Sequence, residues 1–383
     1  MKTSKAIGVA MVVGALTGVP AALAKDCMVY FGTYTDTSSK GIYVSRLDLD
    51  SGKLSVPELA ATITDPSYLG ISPNGRFLYA VTEAASFQGM AGGAVSAFAL
   101  DARTGMLKLL DEKSSGGPDP CYVGLDAAGR VLLVANYGVS SVKSFHVNPD
   151  GTLADGTLIP HHGSSVNRNR QSSAHAHSFV AAPGGRFALA CDLGMDKVMI
   201  YKVNPADGTL TPNEPAFGTL APGSGPRHLA FSPDGKSVYV LSEMACTATA
   251  FAWDGANGKL DARQTVLLLP PDMPVAASYT AAEIGVRPDG RFVYATVRGP
   301  DVVSVLAVDK KSGNLSLVET LPCGGKMPRG MGIDPSGHWL IVGNQRTGTV
   351  TSFGIDAATG RLTPRGQVLS VGSAVDVKFA PVR

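Results

Sequence analysis

Arg227, Glu243, Arg298, Arg329 and His177 stand far apart in the chain, yet each lies eight residues from a glycine of one recurring turn. Counting eight back from Gly75, Gly129, Gly185, Gly235, Gly290 and Gly337 gives Ser67, Cys121, His177, Arg227, Ala282 and Arg329. Counting eight forward gives Glu83, Tyr137, Leu193, Glu243, Arg298 and Gln345. Asn136, Asp192, His228, Glu283 and Asn344 are chain neighbours of these positions, and His175 precedes His177 by two residues. Arginine forks suit a carboxylate, a phosphate or a developing oxyanion, because they stay charged and donate parallel hydrogen bonds. A carboxylate or imidazole beside them can take a proton from water while the arginines stabilise an anionic tetrahedral intermediate. No serine-nucleophile elbow, zincin helix or phosphate-cradling loop is present. This inventory fits hydrolysis of an activated ester by a directed water.

Blander readings stand beside this one. Arg227 and Glu243 also suit a structural ion pair clamping a hairpin. His175-Ala176-His177 puts two imidazoles on one face of a strand, but the spacing offers no third ligand, so no metal and no cofactor is expected. Asp192 and Asp196 read as ordinary turn residues, Arg168 and Arg170 as solvated charges on a loop, and Met195 and Met199 as packing. The shared register of several polar residues favours a site over any of these.

The elements that position these residues follow from the turns themselves. SPNGRFLYA (72–80), DAAGRVLLVA (126–135), APGGRFALA (182–190), SPDGKSVYV (232–240), RPDGRFVYA (287–295) and DPSGHWLIV (334–342) each read as two strands about a tight turn. A second motif alternates with them, in seven copies from DLDSGKL to IDAATGRL, with glycines from Gly52 to Gly360. Two hairpins per repeat make four strands, the content of a propeller blade. The missing copy of the first motif is split between the termini, with Val375–Ala380 as its first strand and Met28–Thr33 as its second. The expected fold is all-β: a seven-bladed β-propeller with four-stranded blades, closed by pairing of the N- and C-terminal strands. Residues before the first strand and after the second then meet at one mouth of the central channel, a concave end with convergent polar groups. Pro160–Ala174, polar and rich in Ser, Asn and Arg, reads as a surface loop and the only sizeable insertion.

Lys2 and Lys5, an apolar run to Val19 and Ala22-Leu23-Ala24 form the pattern of a secretory signal peptide over 1–24, leaving one domain over 25–383. The protein is therefore expected to be exported, and periplasmic in a cell with two membranes. The chain has 33 basic and 31 acidic residues, and two of the lysines lie in the leader. A balanced charge makes no case for nucleic acid or a membrane surface after the leader is removed. Cys27, Cys121, Cys191, Cys246 and Cys323 are odd in number and scattered, and read as small buried apolar residues.

FGTYT (31–35), VANYG (134–138), RQSSAHAHSF (170–179), DLGMDKV (192–198), GSGPRHLAFSPDG (223–235), VRG (297–299), MPRGMGIDPSG (327–337) and GNQ (343–345) carry a resemblance. Together they resemble the seven-bladed propeller lactonases of the bacterial 6-phosphogluconolactonase type, which include the carboxymuconate cyclases. The resemblance implies a metal-independent enzyme, a small-molecule lactone substrate and a catalytic cluster at His177, Arg227, Glu243 and Arg298. His175, His228, Glu283, Arg329, Asn344, Gln345, Asn136 and Arg170 are the substrate-binding candidates. Either Glu243 or His177 is the expected base. An exported enzyme would rarely meet a phosphorylated cytosolic intermediate, so an unphosphorylated aldonolactone is as reasonable a substrate. A non-enzymatic propeller binding a ligand or protein at its mouth, and a carboxymuconate-type cycloisomerase, are the alternatives.

Overall fold

The computed structural model describes residues 26–380; the signal peptide expected at 1–24 lies outside them. The described residues form strands, turns and loops, with seven four-stranded antiparallel sheets and one two-stranded hairpin. Each first motif folds as its chemistry dictates. In Ser232-Pro233-Asp234-Gly235 the Gly235 N–H donates to the Ser232 carbonyl at 2.8 Å, with Gly235 at φ 68°. The Ser232 hydroxyl bonds Asp234 at 2.6 Å and accepts from the Ser237 N–H at 2.9 Å, closing the turn from inside. Where the first position is Asp126 or Asp334, the carboxylate accepts two backbone N–H groups in the same role.

Blade 1 joins Ser373–Phe379 to Asp26–Tyr34, Gly41–Asp48 and Glu58–Thr62, so the ring closes by pairing the two chain ends. The register runs Val29↔Phe379, Phe31↔Val377 and Thr33↔Ala374. Blades 2 to 7 follow in chain order, their first strands Leu69–Ile71, Pro120–Leu125, Ala176–Ala181, Pro226–Phe231, Thr280–Val286 and Pro328–Ile333 lining the channel. The core is divided into seven apolar clusters, and each is shared by two adjacent blades. Stability is therefore a property of the closed ring, since no blade buries its own faces. Tyr30, Tyr79 and Tyr294 tie neighbours further, donating to the carbonyls of Gly105, Gly151 and Gly360 in the outer turn of the next blade. All five cysteines are buried free thiols.

The even spacing is broken in more places than the sequence reading allowed. Besides the loop after Pro160, residues 84–93 carry the small hairpin Ser86–Phe87 and Met90–Ala91, and residues 268–279 link blades 5 and 6 without a strand.

Candidate active site

The first strands do not pair regularly with the second ones. The register skips Cys121 between Pro120 and Tyr122, His177 between Ala176 and Ser178, Arg227 between Pro226 and His228, and Arg329 between Pro328 and Gly330. In blade 6 it skips both Ala282 and Glu283. Each skipped residue is a β-bulge, which leaves the ladder and re-aims its side chain. The bulge is why the positions eight back from the turn glycines face the mouth. Entry into blades 2, 3 and 7 is bent by a left-handed residue before a proline: Asp65 at φ 42°, Asp119 at 54° and Met327 at 62°. Blade 5 uses Gly225 at φ 65° for the same bend, and the Glu243 N–H donates to its carbonyl at 2.7 Å. That bond fixes Glu243 beside Arg227. Strain of about 1–3 kcal/mol at each non-glycine bend is characteristic of a backbone built around a site.

Glu83, Cys121, Tyr137, Arg170, His177, Glu243, Thr280, Arg298 and Arg329 line a cavity of about 320 Å³ at this mouth. Glu243 is its electrostatic centre. Its carboxylate meets Arg170 Nη2 at 2.7 Å, Arg227 Nε at 2.9 Å and Arg298 Nη2 at 3.2 Å. The Arg227, Glu243 and Arg298 side chains are only 3, 6 and 8% exposed, so these are desolvated pairs. Burial alone would raise the Glu243 pKa, but Arg298 and Arg227 outweigh it and hold the carboxyl well below its usual range. Burial pulls Arg298 the other way, down to about 10, with Arg227 and Arg329 adding repulsion.

His177 sits on the other side of this cluster. Burial, and then the neighbouring Arg227, push its pKa well below the ordinary imidazole value. It is neutral at physiological pH. Its Nδ1 lies 3.7 Å from the Cys121 thiol, and its Nε2 makes no hydrogen bond among the described residues. His175 does not share a strand face with it: the bulge breaks the alternation, and His175 stacks on Tyr137 at 4.5 Å, its Nδ1 donating to the Tyr137 carbonyl at 3.0 Å. Among the described residues no three His, Cys, Asp or Glu side chains are grouped to hold a metal ion.

Below the mouth lies a second polar layer. Arg227 Nη1 is 3.2 Å from His228 Nε2, and His228 Nδ1 is 2.7 Å from Glu283. A guanidinium can only donate, so His228 accepts at Nε2 and carries its proton on Nδ1, facing a Glu283 carboxylate. Arg227 also donates to the Ala282 carbonyl. His228 and Glu283 thus orient Arg227 from beneath rather than line the open cavity. Asp376, Lys378 and Tyr68 continue the layer: Lys378 bonds Asp376 at 2.5 Å and lies 3.9 Å from the Tyr68 ring centroid. Sequence reasoning missed all three.

Other expectations are corrected. Asn136 and Asn344 are fully buried and turned away from the mouth, Asn136 donating to Ser141 of its own blade and to Ser115 in the link from blade 2, Asn344 to Thr351 of its own blade, so neither lines the cavity. Gln345 is held by its backbone to Met327 and does not line it either. Arg170 is not a solvated charge: it reaches from the inserted loop to Glu243 and lines the cavity, where its candidacy as a substrate-binding residue had put it. Asp192 and Asp196 are not ordinary turn residues but buried anchors. Asp196 accepts from Ser165, Gln171, Gly223 N–H and Gly225 N–H at 2.6–2.8 Å, tying the loop of Arg170 to the turn that aims Arg227. Asp192 accepts from Ser140, pairs with His161 at 2.7 Å and holds the His175 N–H at 2.8 Å, which sets the approach to His177. Their chain position beside a turn gave no sign of these partners. Glu83, Cys121, Tyr137 and Thr280 line the cavity and Tyr34 stands beside Glu83, yet sequence reasoning gave none of them a role, although the spacing rule had reached Glu83, Cys121 and Tyr137.

Comparison with known proteins places the chain. The family described as Lactonase, 7-bladed beta-propeller, matches residues 28–379. A 6-phosphogluconolactonase of Bacillus subtilis is 36% identical over 91% of this chain and 97% of its own. One of Formosa agariphila is 32% identical over 92% of this chain and 99% of its own. The solved structure of a Pseudomonas aeruginosa periplasmic gluconolactonase superposes with a TM-score of 0.87 at 35% identity, covering 94% of this chain and all of that one. With the fold, the family match and relatives spanning the whole propeller in agreement, the chain belongs to the seven-bladed β-propeller lactonase family.

Proposed function

We propose that the protein is an exported hydrolase that opens an unphosphorylated aldonolactone, of the glucono-1,5-lactone kind, in the periplasm. The observation that carries the reading is the mouth cavity, where a neutral imidazole faces guanidinium groups already bound to one carboxylate. Arg170, Arg227 and Arg298 share the Glu243 carboxylate, so part of their positive charge is already matched, and Arg329 engages Tyr34. That suits one developing oxyanion more than a phosphate dianion. The signal-peptide pattern over 1–24 and the likeness to a periplasmic gluconolactonase support export and an unphosphorylated substrate.

In this reading His177 takes a proton from the attacking water. Burial, and then repulsion from Arg227, weaken it as a base in the resting site, but the negative charge growing on the substrate oxygen offsets that repulsion in the transition state. Glu243, clamped by three guanidiniums, is too weak a base and instead holds Arg227 and Arg298 towards the carbonyl oxygen. The test is a pH-stat panel of lactones with spontaneous opening subtracted, plain and phosphorylated gluconolactones side by side. Preference for the plain lactone, and losses of roughly a hundredfold or more in kcat for Arg227→Ala and Glu243→Ala, are expected. Preference for the phosphorylated lactone would overturn the substrate, and unchanged turnover in both variants would overturn the site.

A further inference from the structure

The mouth holds two carboxylates in opposite surroundings. Glu243 has three guanidinium partners. Glu83, which lines the same cavity from blade 2, has no ion-pair partner among the described residues and is held by neutral hydroxyls. The Tyr34 hydroxyl lies 2.9 Å from each of its oxygens, and the Ser67 hydroxyl donates to Oε2. Arg329 Nη2 donates to the Tyr34 oxygen at 2.9 Å, which orients that hydroxyl to donate onward to Glu83. Oε1 meets only the Tyr34 hydroxyl and keeps room for a proton. Two carboxyl groups whose environments drive their ionisation apart are the usual mark of divided acid and base work.

We propose that Glu83 is a further catalytic residue, a carboxylic acid that donates its proton to the ring oxygen of the lactone as that oxygen leaves. This rests on the lactonase reading above. Water adds to the carbonyl carbon and gives one proton to His177 Nε2, leaving an anionic tetrahedral carbon with one hydroxyl. Collapse reforms the carbonyl and breaks the bond to the ring oxygen, whose electron pair takes the proton of Glu83. His177 is then an imidazolium and Glu83 a carboxylate. Solvent carries the imidazolium proton back to Glu83, and the new carboxylic acid releases its own to the medium, so the cycle closes with one proton liberated per lactone opened.

The groups facing Glu83 permit this. Arg329 of blade 7 and the Tyr34 and Ser67 hydroxyls favour its ionised form, while Asp119 disfavours it; Cys121 also stands nearby. Arg227, His228 and Glu283 line with it the small cavity beneath. Burial is the largest influence and raises the carboxyl above its usual range, in the direction an acid needs.

The experiment is a kcat–pH profile on glucono-1,5-lactone for the wild type, Glu83→Gln and Tyr34→Phe, with thermal unfolding of each. The wild type should lose rate with rising pH, on a limb above the ordinary carboxylate range. Glu83→Gln, which keeps an acceptor for both hydroxyls, should lose roughly a hundredfold in kcat, hold KM within a few fold and lack that limb. Tyr34→Phe removes a donor that favours the ionised form, so its limb should move to higher pH. A wild type without the limb, or a folded Glu83→Gln that keeps kcat or the limb, overturns the proposal while leaving the lactonase reading standing. A wild type with no turnover above the spontaneous rate overturns both.

Discussion

Glu243→Gln removes one negative charge from the centre of three converging guanidiniums while leaving volume and hydrogen-bonding capacity nearly intact. Arg227 and Arg298 are almost fully enclosed and cannot turn to water, so their charges remain buried and repel one another. Leaving a buried ion pair without one partner costs about 3–5 kcal/mol. For a chain of this size that corresponds to about 4–7 °C in Tm. The cost should depend on pH in a defined direction. The folded-state pKa of Glu243 is depressed, so its contribution is complete above the unfolded carboxylate value and fades as pH falls towards the folded one. The stability gap between wild type and variant should therefore be constant from neutral pH down to roughly pH 5, then shrink by about 1.4 kcal/mol per unit. Urea denaturation followed by circular dichroism between pH 3 and pH 8 measures the gap. Sulfate at tens of millimolar should restore part of the lost stability in the variant alone, by supplying the missing charge. A variant as stable as the wild type at neutral pH would refute the view that Glu243 neutralises this cluster.

His177 is buried neutral, so between pH 6 and pH 5 the unfolded chain binds its proton while the folded one resists. Wild-type stability relative to His177→Asn should then fall by about 1.4 kcal/mol per pH unit in that window, checked by the same denaturation series. Asp196→Ala removes acceptors for Ser165, Gln171 and two backbone N–H groups, and is expected to cost about 2–4 kcal/mol. Limited proteolysis should cut such a protein within 161–175, and KM should rise as Arg170 loses its support. Deleting residues 373–383 strips blade 1 of its inner strand and opens the ring, so the product should sediment as aggregate rather than monodisperse protein.

Turn chemistry and strand periodicity are local, which is why the architecture was legible early. Ser-Pro-Asp-Gly closes on itself through Ser232 and Asp234, and the interval between such turns counts blades, whatever lies across the ring. The split first hairpin likewise predicted the Val29↔Phe379 closure, because an unmatched strand at each end has one natural partner. The eight-residue offset found Arg227, Glu243, Arg298, Arg329 and His177, since strand length sets the distance from turn to mouth. What the chain order concealed was which atoms meet across blades. Asn136 and Asn344 carry the same polar label as mouth residues yet turn away from the mouth, as pleat direction and bulges decide. Arg170 and Asp196 looked like loop and turn residues until folding brought Glu243 and Gly225 within hydrogen-bond distance. Glu83 and Glu243 occupy the same place in their repeats, and only the ring gave one of them arginines and the other hydroxyls. Residue type and spacing therefore determined the scaffold and the address of the site. The ionisation of each group there was decided by through-space neighbours and lost solvent, which exist only once seven blades have closed.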